Sequence, residues 1–199
     1  MKKVISLFQR NYGGDHLVRD EVVPGADWVI AGEGVATQKL DGTALLVVSE
    51  RAGPRVMKRY TCRDFKQLAL ARLTKGFVQA QPPDPVTGEV PGWVPYYASA
   101  DPGDKWIAVG LDEWIARNGS HPPAGTYELV GVGVQGNAER LPNTVLVRHG
   151  EIKLRDCPRT YEALREWFRG RDIEGVVWHH PDGSMVKIKK KDFGMKRAD

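Results

Sequence analysis

Lys39 stands just ahead of an Asp41-Gly42 pair, and far along the chain Lys187 and Lys189 alternate with Val186 and Ile188. Amines in these places suit two kinds of chemistry. A lysine that has lost its proton is a nucleophile, and a protonated one is a fixed cation. Attack of a neutral amine on phosphorus gives a phosphoramidate, a bond energetic enough to hand its phosphoryl group onward. Arginine stays protonated and cannot do this. Lysines two apart on a strand send both side chains to one face. Together they stabilise charge growing on the equatorial oxygens of pentacovalent phosphorus, and they favour the neutral form of a neighbouring amine. Each piece alone also has a plainer reading. Lys39 is then a surface residue before a turn, and Lys187 and Lys189 are the solvent face of an amphipathic strand.

The elements that must position these residues are mostly strands. Residues 3–8 read as a first strand, and 35–39 and 43–49 as two more around Asp41-Gly42, a pair of the kind that closes a tight hairpin. A short strand follows at 56–59. Helix and loop compete within 51–76, because Phe65, Leu68 and Leu70 fit no single period. Residues 111–118 read as a short helix closed by Gly119, and 126–132 and 144–148 as strands. Pro158 opens a stronger helix in which Tyr161, Leu164, Trp167 and Phe168 share a face before Gly170. Strands at 175–178 and 184–190 are joined by a Pro-Asp-Gly turn. Hairpins dominate, so an α+β fold built on antiparallel sheet is expected rather than a parallel doubly wound one. The sequence carries no Gly-rich loop of dinucleotide or Walker type.

The 199 residues are 41 % hydrophobic and 27 % charged, the composition of a globular protein, and they predict a single domain spanning 1–199. The net charge of +4 is compatible with a polyanionic partner. Its distribution is uneven. Residues 51–76 carry eight basic residues against one acidic. Residues 81–113 carry six acidic against one basic, with six of the 13 prolines, and read as a mostly irregular, Pro-rich acidic insertion packed on the body through Trp93, Tyr96, Tyr97 and Trp106. Two cysteines, Cys62 and Cys157, exclude a disulfide-rich scaffold and a four-cysteine zinc site. The apolar run at 4–8 is too short for a signal peptide, and no segment approaches a membrane span. A cytoplasmic protein with no membrane partner is expected. His149, His179 and His180 lack the spacing and carboxylate company of a zinc site and read as structural.

Four pieces recur in a fixed order: Lys39-Leu40-Asp41-Gly42, Tyr127-Glu128-Leu129-Val130-Gly131, Glu174-Gly175-Val176-Val177 and Val186-Lys187-Ile188-Lys189. Together they resemble the motif set of the covalent nucleotidyltransferases, the ATP-dependent ligases and messenger-RNA capping enzymes. The stretch at 127–131 followed by Gly136-Asn137, the Pro83-Asp84-Pro85 run, Pro91-Gly92-Trp93-Val94, Glu174 through His179, and the opening Ser6-Leu7-Phe8-Gln9-Arg10-Asn11-Tyr12 narrow the likeness. They resemble a compact ATP-dependent RNA ligase family of phages and bacteria with a vertebrate relative. The likeness runs over residues 3–196. Only ten residues follow Lys189, so the OB domain of DNA ligases and capping enzymes is not expected.

The resemblance implies a nucleotidyltransferase domain, ATP-grasp-like, that joins RNA 5′-phosphate and 3′-hydroxyl ends. ATP would be the cofactor, with Mg²⁺ or Mn²⁺. Lys39 would be the nucleophile that carries AMP, with Lys187 and Lys189 contacting the phosphates. Glu174 and Glu128 would hold the divalent ion, although in the family Glu128 can contact the ribose instead. Asp41 would either brace its turn or organise the metal through water. Gly42 would let the backbone pass closely beneath the nucleotide. Arg59 would contact the ribose or the phosphorylated end, with Lys58, Arg55 and Arg63 as rivals. Trp178 reads as core rather than adenine pocket. The 51–76 patch with residues 187–191, Lys196 and Arg197 would face RNA, and an accessory protein could help hold the ends. Two other readings stay open: adenylation of a DNA end or a protein, and a non-catalytic nucleotide- or RNA-binding protein.

Overall fold

The computed structural model describes residues 4–85, 87–96 and 101–197, which divide into two compact units. One comprises Val4–Leu40 with Gly150–Asp199, and the other includes Asp41–His149. The boundary at Leu40–Asp41 falls inside the Lys39–Gly42 motif.

The first unit contains β1 (Ile5–Ser6), β2 (Phe8–Arg10), β3 (Val18–Val22), α1 (Asp27–Ile30) and β4 (Val35–Lys39). From the later part of the chain it adds α4 (Tyr161–Phe168), β11 (Gly175–His179), β12 (Met185–Lys189) and a 3₁₀ turn at Lys190–Phe193. Its main sheet runs β1-β12-β11-β4, with β1 parallel to β12 and the other pairs antiparallel. Alternation sorts the two faces of this sheet. Ala36, Val176, Trp178, Val186 and Ile188 enter a core with Leu7, Phe8, Val29, Leu164, Phe168 and Phe193. Lys39, Gly175, Lys187 and Lys189 belong to the alternate positions of the same strands. Trp178 is fully buried in that core, as its apolar neighbours in the sequence require. Helix α4 supplies Leu164 and Phe168 as read from its period, and the chain leaves it through left-handed Gly170.

The second unit is built on a six-stranded antiparallel sheet, order β10-β9-β5-β6-β8-β7. Its strands are β5 (Thr43–Glu50), β6 (Gly53–Cys62), β7 (Val78–Gln79), β8 (Val90–Pro95), β9 (Gly125–Val130) and β10 (Val145–Arg148). Helices α2 (Phe65–Lys75) and α3 (Asp104–Asn118) complete it. Leu45, Val47, Tyr127, Leu129 and Leu146 form its core beneath Ile107, Trp106 and Trp114 of α3.

Three expectations change. Residues 35–39 and 43–49 do form strands on either side of Asp41-Gly42, but they are not a hairpin. β4 pairs with β11, and β5 pairs with β6 and β9 in a different sheet. Helix prevails over loop at 65–75 because both ends are capped: Asp64 accepts the Gln67 N–H at 2.7 Å and Gly76 adopts the left-handed conformation. The described residues of 81–113 include β8 and the first ten residues of α3, more regular structure than the prolines suggest, and Tyr97 lies outside the described residues. Buried Asp104 anchors the start of that helix by pairing with Lys58 of β6.

Candidate active site

The register of the first sheet places the lysines. Gly175 at the start of β11 is paired with Lys39 on one side and Lys189 on the other, and Val177 is paired with Thr37 and Lys187. Three ammonium groups are thus carried on neighbouring positions of one sheet face. Glu174, the residue before Gly175, is 9 % exposed and sits between two of them. Its Oε2 accepts from Lys39 Nζ, and its Oε1 lies 2.6 Å from Lys189 Nζ. Lys187 forms no ion pair among the described residues.

The charges in this cluster do not cancel. Three cations face one carboxylate, in a half-buried setting where each charge is felt more strongly than in water. Burial pushes the Lys187 ammonium down to about 8, helped by the charges of Lys189 and Lys39. For Glu174, burial acts to raise the carboxyl, but the Lys39 and Lys189 ammonium groups outweigh it and hold it below the usual carboxylate range. The cluster is therefore short of negative charge. A polyphosphate is the kind of ligand that supplies it.

Gly175 is a condition of the arrangement. A Cβ there would lie 2.3 Å from the Ile188 carbonyl oxygen and 2.9 Å from the Lys189 Cα, both backbone atoms of β12. Gly175→Ala is expected to push β11 and β12 apart at the Lys189 pair, with a loss of roughly 1–3 kcal/mol of stability. Denaturant unfolding read by tryptophan fluorescence checks this.

Asp41, Gly42, Arg59 and Glu128 belong to the second unit. The Asp41 N–H donates to Glu139 Oε1 at 2.8 Å, a partner the sequence did not suggest. Gly42 lies close against β9: a Cβ would fall 2.1 Å from the Leu129 carbonyl oxygen. Glu128 on β9 bonds His149 Nε2 at 2.8 Å, and His180 contacts Glu33 and Asp182, carboxylate contacts that the sequence does not suggest.

The basic residues near Arg59 differ in their partners. Lys58 is paired with Asp101 and Asp104, and Arg55 with Glu50 at 2.8 Å. Arg63 is exposed. Arg59 lies over the Trp93 ring at 5.2 Å, and its Nη1 is buried without a hydrogen-bond partner. Burial lowers the affinity of its guanidinium for a proton.

The expected RNA-facing set loses one member. Lys190 is 1 % exposed and donates to the Arg171 and Arg197 carbonyls at 2.9 and 3.0 Å, so it braces the chain end instead. Two residues beside the lysine cluster escaped the sequence reading altogether: Asp192, and the Arg10 that pairs with it. Arg10 lies within the opening motif, but nothing local points from it to a residue so far along the chain.

The residues fit a divalent cation in one way. Among the described residues no group of three or more His, Cys, Asp and Glu could form an all-protein cage. Glu174 offers a hard oxygen donor between the lysines, and an ion there would take most of its ligands from phosphates and water, as Mg²⁺ does.

An α+β protein with mixed sheets, an antiparallel majority and a lysine–carboxylate cluster on one sheet face fits the nucleotidyltransferase-like class. A family model described as RNA ligase 1 matches residues 122–199, a stretch that includes Glu128, Glu174, Lys187 and Lys189. The chain is 28 % identical over 220 residues to RNA ligase 1 of Danio rerio, covering 81 % of this chain and 67 % of that protein. It is 26 % identical over 227 residues to RNA ligase 1 of Rattus norvegicus, with the same coverage. The chain is thus similar to the RNA ligase 1 proteins over most of its length.

Proposed function

We propose that this protein joins RNA 5′-phosphate and 3′-hydroxyl ends through a covalent lysyl-AMP intermediate, with Lys39 as the nucleophile. The observation that carries the reading is the Lys39–Glu174–Lys189 arrangement beside unpaired Lys187, a cluster with one amine to react and a surplus of positive charge to receive phosphates. An ATP-grasp-like fold is part of the same proposal, as is a cytoplasmic location, where ATP and RNA are both at hand.

Lys39 Nζ, once deprotonated, attacks the α-phosphorus of ATP. A P–N bond forms, the bond to the bridging oxygen breaks, and pyrophosphate leaves. Lys187 and Lys189 bind the phosphate oxygens and stabilise the charge that grows on them. Glu174 would hold Mg²⁺ or Mn²⁺, which neutralises phosphate charge and orients the leaving group. Glu128 is the second candidate for that ion or for the ribose, and Asp41 for a water on the ion. Gly42 keeps the chain close beneath the nucleotide, and Arg59 awaits the ribose or the RNA 5′-phosphate.

The AMP then passes to that 5′-phosphate. The P–N bond breaks and a pyrophosphate bridge between RNA and AMP forms. The 3′-hydroxyl of the second end attacks the RNA phosphorus, loses its proton, and AMP leaves as the phosphodiester closes. Exposed Arg63, Lys66, Arg72 and Lys75 would contact the RNA backbone without reading bases.

The test is labelling with ATP carrying radioactive α-phosphate in Mg²⁺ or Mn²⁺, followed by denaturation and a chase with 5′-phosphorylated RNA or the equivalent DNA. Label that stays on the chain and discharges into joined RNA is the expected result. Discharge into DNA or protein alone would replace RNA as the acceptor. Absence of label on folded, AMP-free protein with either metal would overturn the reading.

A further inference from the structure

The lysine strand β12 is held from outside its own hairpin. β1 runs parallel to it with Ser6 in register with Lys187, and the Leu7 N–H donates to the Lys187 carbonyl at 2.8 Å. Immediately after β12 the chain turns into the 3₁₀ segment, and Asp192 folds back on the strand end. Asp192 Oδ2 accepts the Lys189 N–H at 3.0 Å, while Oδ1 pairs with Arg10 Nη2. Arg10 is itself fixed by a bond from Nη1 to the His16 carbonyl at 2.9 Å. The neighbours of the pair pack as well, with the Phe8 and Phe193 rings 6.4 Å apart. Asp192 is 2 % exposed, so its charge is taken out of water and needs its partners.

We propose that Arg10 and Asp192 form a clamp that fixes the end of β12 and thereby positions Lys189 and Lys187 for nucleotidyl transfer. This rests on the function proposed above. They are positioning residues, acting through the Lys189 backbone and not on the nucleotide. The opening Ser6–Tyr12 motif thereby gains a purpose: β1 supplies the strand beside Lys187, and Arg10 supplies the cation that Asp192 requires. Backbone hydrogen bonds from β11 restrain β12 on one edge. The clamp and β1 restrain the other, where β12 would otherwise be free to shift at Lys189.

A clamp of this kind affects how well the lysines are placed in the transition state more than whether ATP binds. The experiment is single-turnover formation of lysyl-AMP by the full chain, measured across ATP concentrations for wild type, Asp192→Asn, Arg10→Met and Arg10→Lys, with thermal melts alongside. Asp192→Asn and Arg10→Met are expected to slow the saturated rate by ~10-fold or more while half-saturating ATP changes by less than ~3-fold, because a misplacement of about 1 Å suffices for such losses. Arg10→Lys keeps the charge and is expected to recover most of the rate. If Asp192→Asn does not fold, Arg10→Met decides, since Arg10 is only partly buried. Wild-type rates in both variants, a loss confined to ATP affinity, or an Arg10→Lys protein as slow as Arg10→Met would overturn the clamp. Absence of label on wild type itself would instead strike at the proposed function.

Discussion

Lys39→Arg is expected to leave a folded protein that binds ATP and never takes label. Arginine keeps the positive charge opposite Glu174, so the carboxylate stays paired and the electrostatics of the cluster survive. What it removes is the ability to become a neutral amine: a guanidinium does not lose its proton under any condition the protein survives. Lysyl-AMP formation is therefore expected to fall by at least about 10³-fold, below detection, because the nucleophile itself is gone. Nucleotide binding measured by fluorescence or calorimetry is expected to persist. Lys39→Ala separates the two contributions. It too abolishes labelling, but it also frees Glu174 Oε2 from an ion pair, so its ATP affinity and stability change as well. Labelling of Lys39→Arg at the wild-type level would move the nucleophile to another residue. Joining of a pre-adenylated RNA by the same variant is expected to continue, since that step needs no lysine nucleophile.

The lysine cluster was legible because its signal is local and periodic. Val186 and Ile188 alternate with Lys187 and Lys189, and one period of two assigns both pairs to their faces. Trp178 in the core and the helix after Pro158 came from the same kind of pattern. The partners of these elements did not. Asp41-Gly42 correctly announced a turn, but turn chemistry says nothing about which strands pair beyond it, and β4 and β5 join separate sheets. The first half of α3 was hidden by prolines and acidic residues that look irregular until Asp104 is seen buried against Lys58, far away in sequence. Lys190 looked like part of a solvated charge run because its neighbours are lysines, yet carbonyls of Arg171 and Arg197 make its burial tolerable. Arg10 and Asp192 left no sign that they would meet. Side chains that act through tertiary contacts carry no spacing rule, so the clustered lysines could be read and their supports could not.

Lys187→Met is expected to make the ligand-free protein more stable and the enzyme much slower. The Lys187 ammonium is pushed down to about 8, first by burial and then by the neighbouring charges of Lys189 and Lys39, and it has no ion pair among the described residues to offset this. A base whose pKa falls on folding opposes folding while it is charged. Below about pH 8 wild type bears the full penalty, on the order of 3 kcal/mol. As pH rises from about 8 towards the ordinary lysine value, the folded state releases its proton before the unfolded state does, and stability climbs. Methionine fills a similar volume without charge, so the variant is expected to start from the higher stability at pH 7 and to lack this rise. Urea unfolding of both proteins at pH 7 and pH 9.5 measures it, and a variant less stable than wild type at pH 7 would contradict the argument. Catalysis is expected to move the other way. One fixed cation at an oxyanion contributes roughly 10²–10³-fold to a rate, so lysyl-AMP formation at pH 7 should fall by about that factor. ATP reconciles the two effects, because its phosphates supply the negative charge that Lys187 lacks. Saturating ATP is therefore expected to raise the melting temperature of wild type more than that of Lys187→Met. On the proposed function, arriving phosphates would relieve the cost of holding an unpaired cation in the sheet face, so that a site that disfavours the empty state would favour the reacting one.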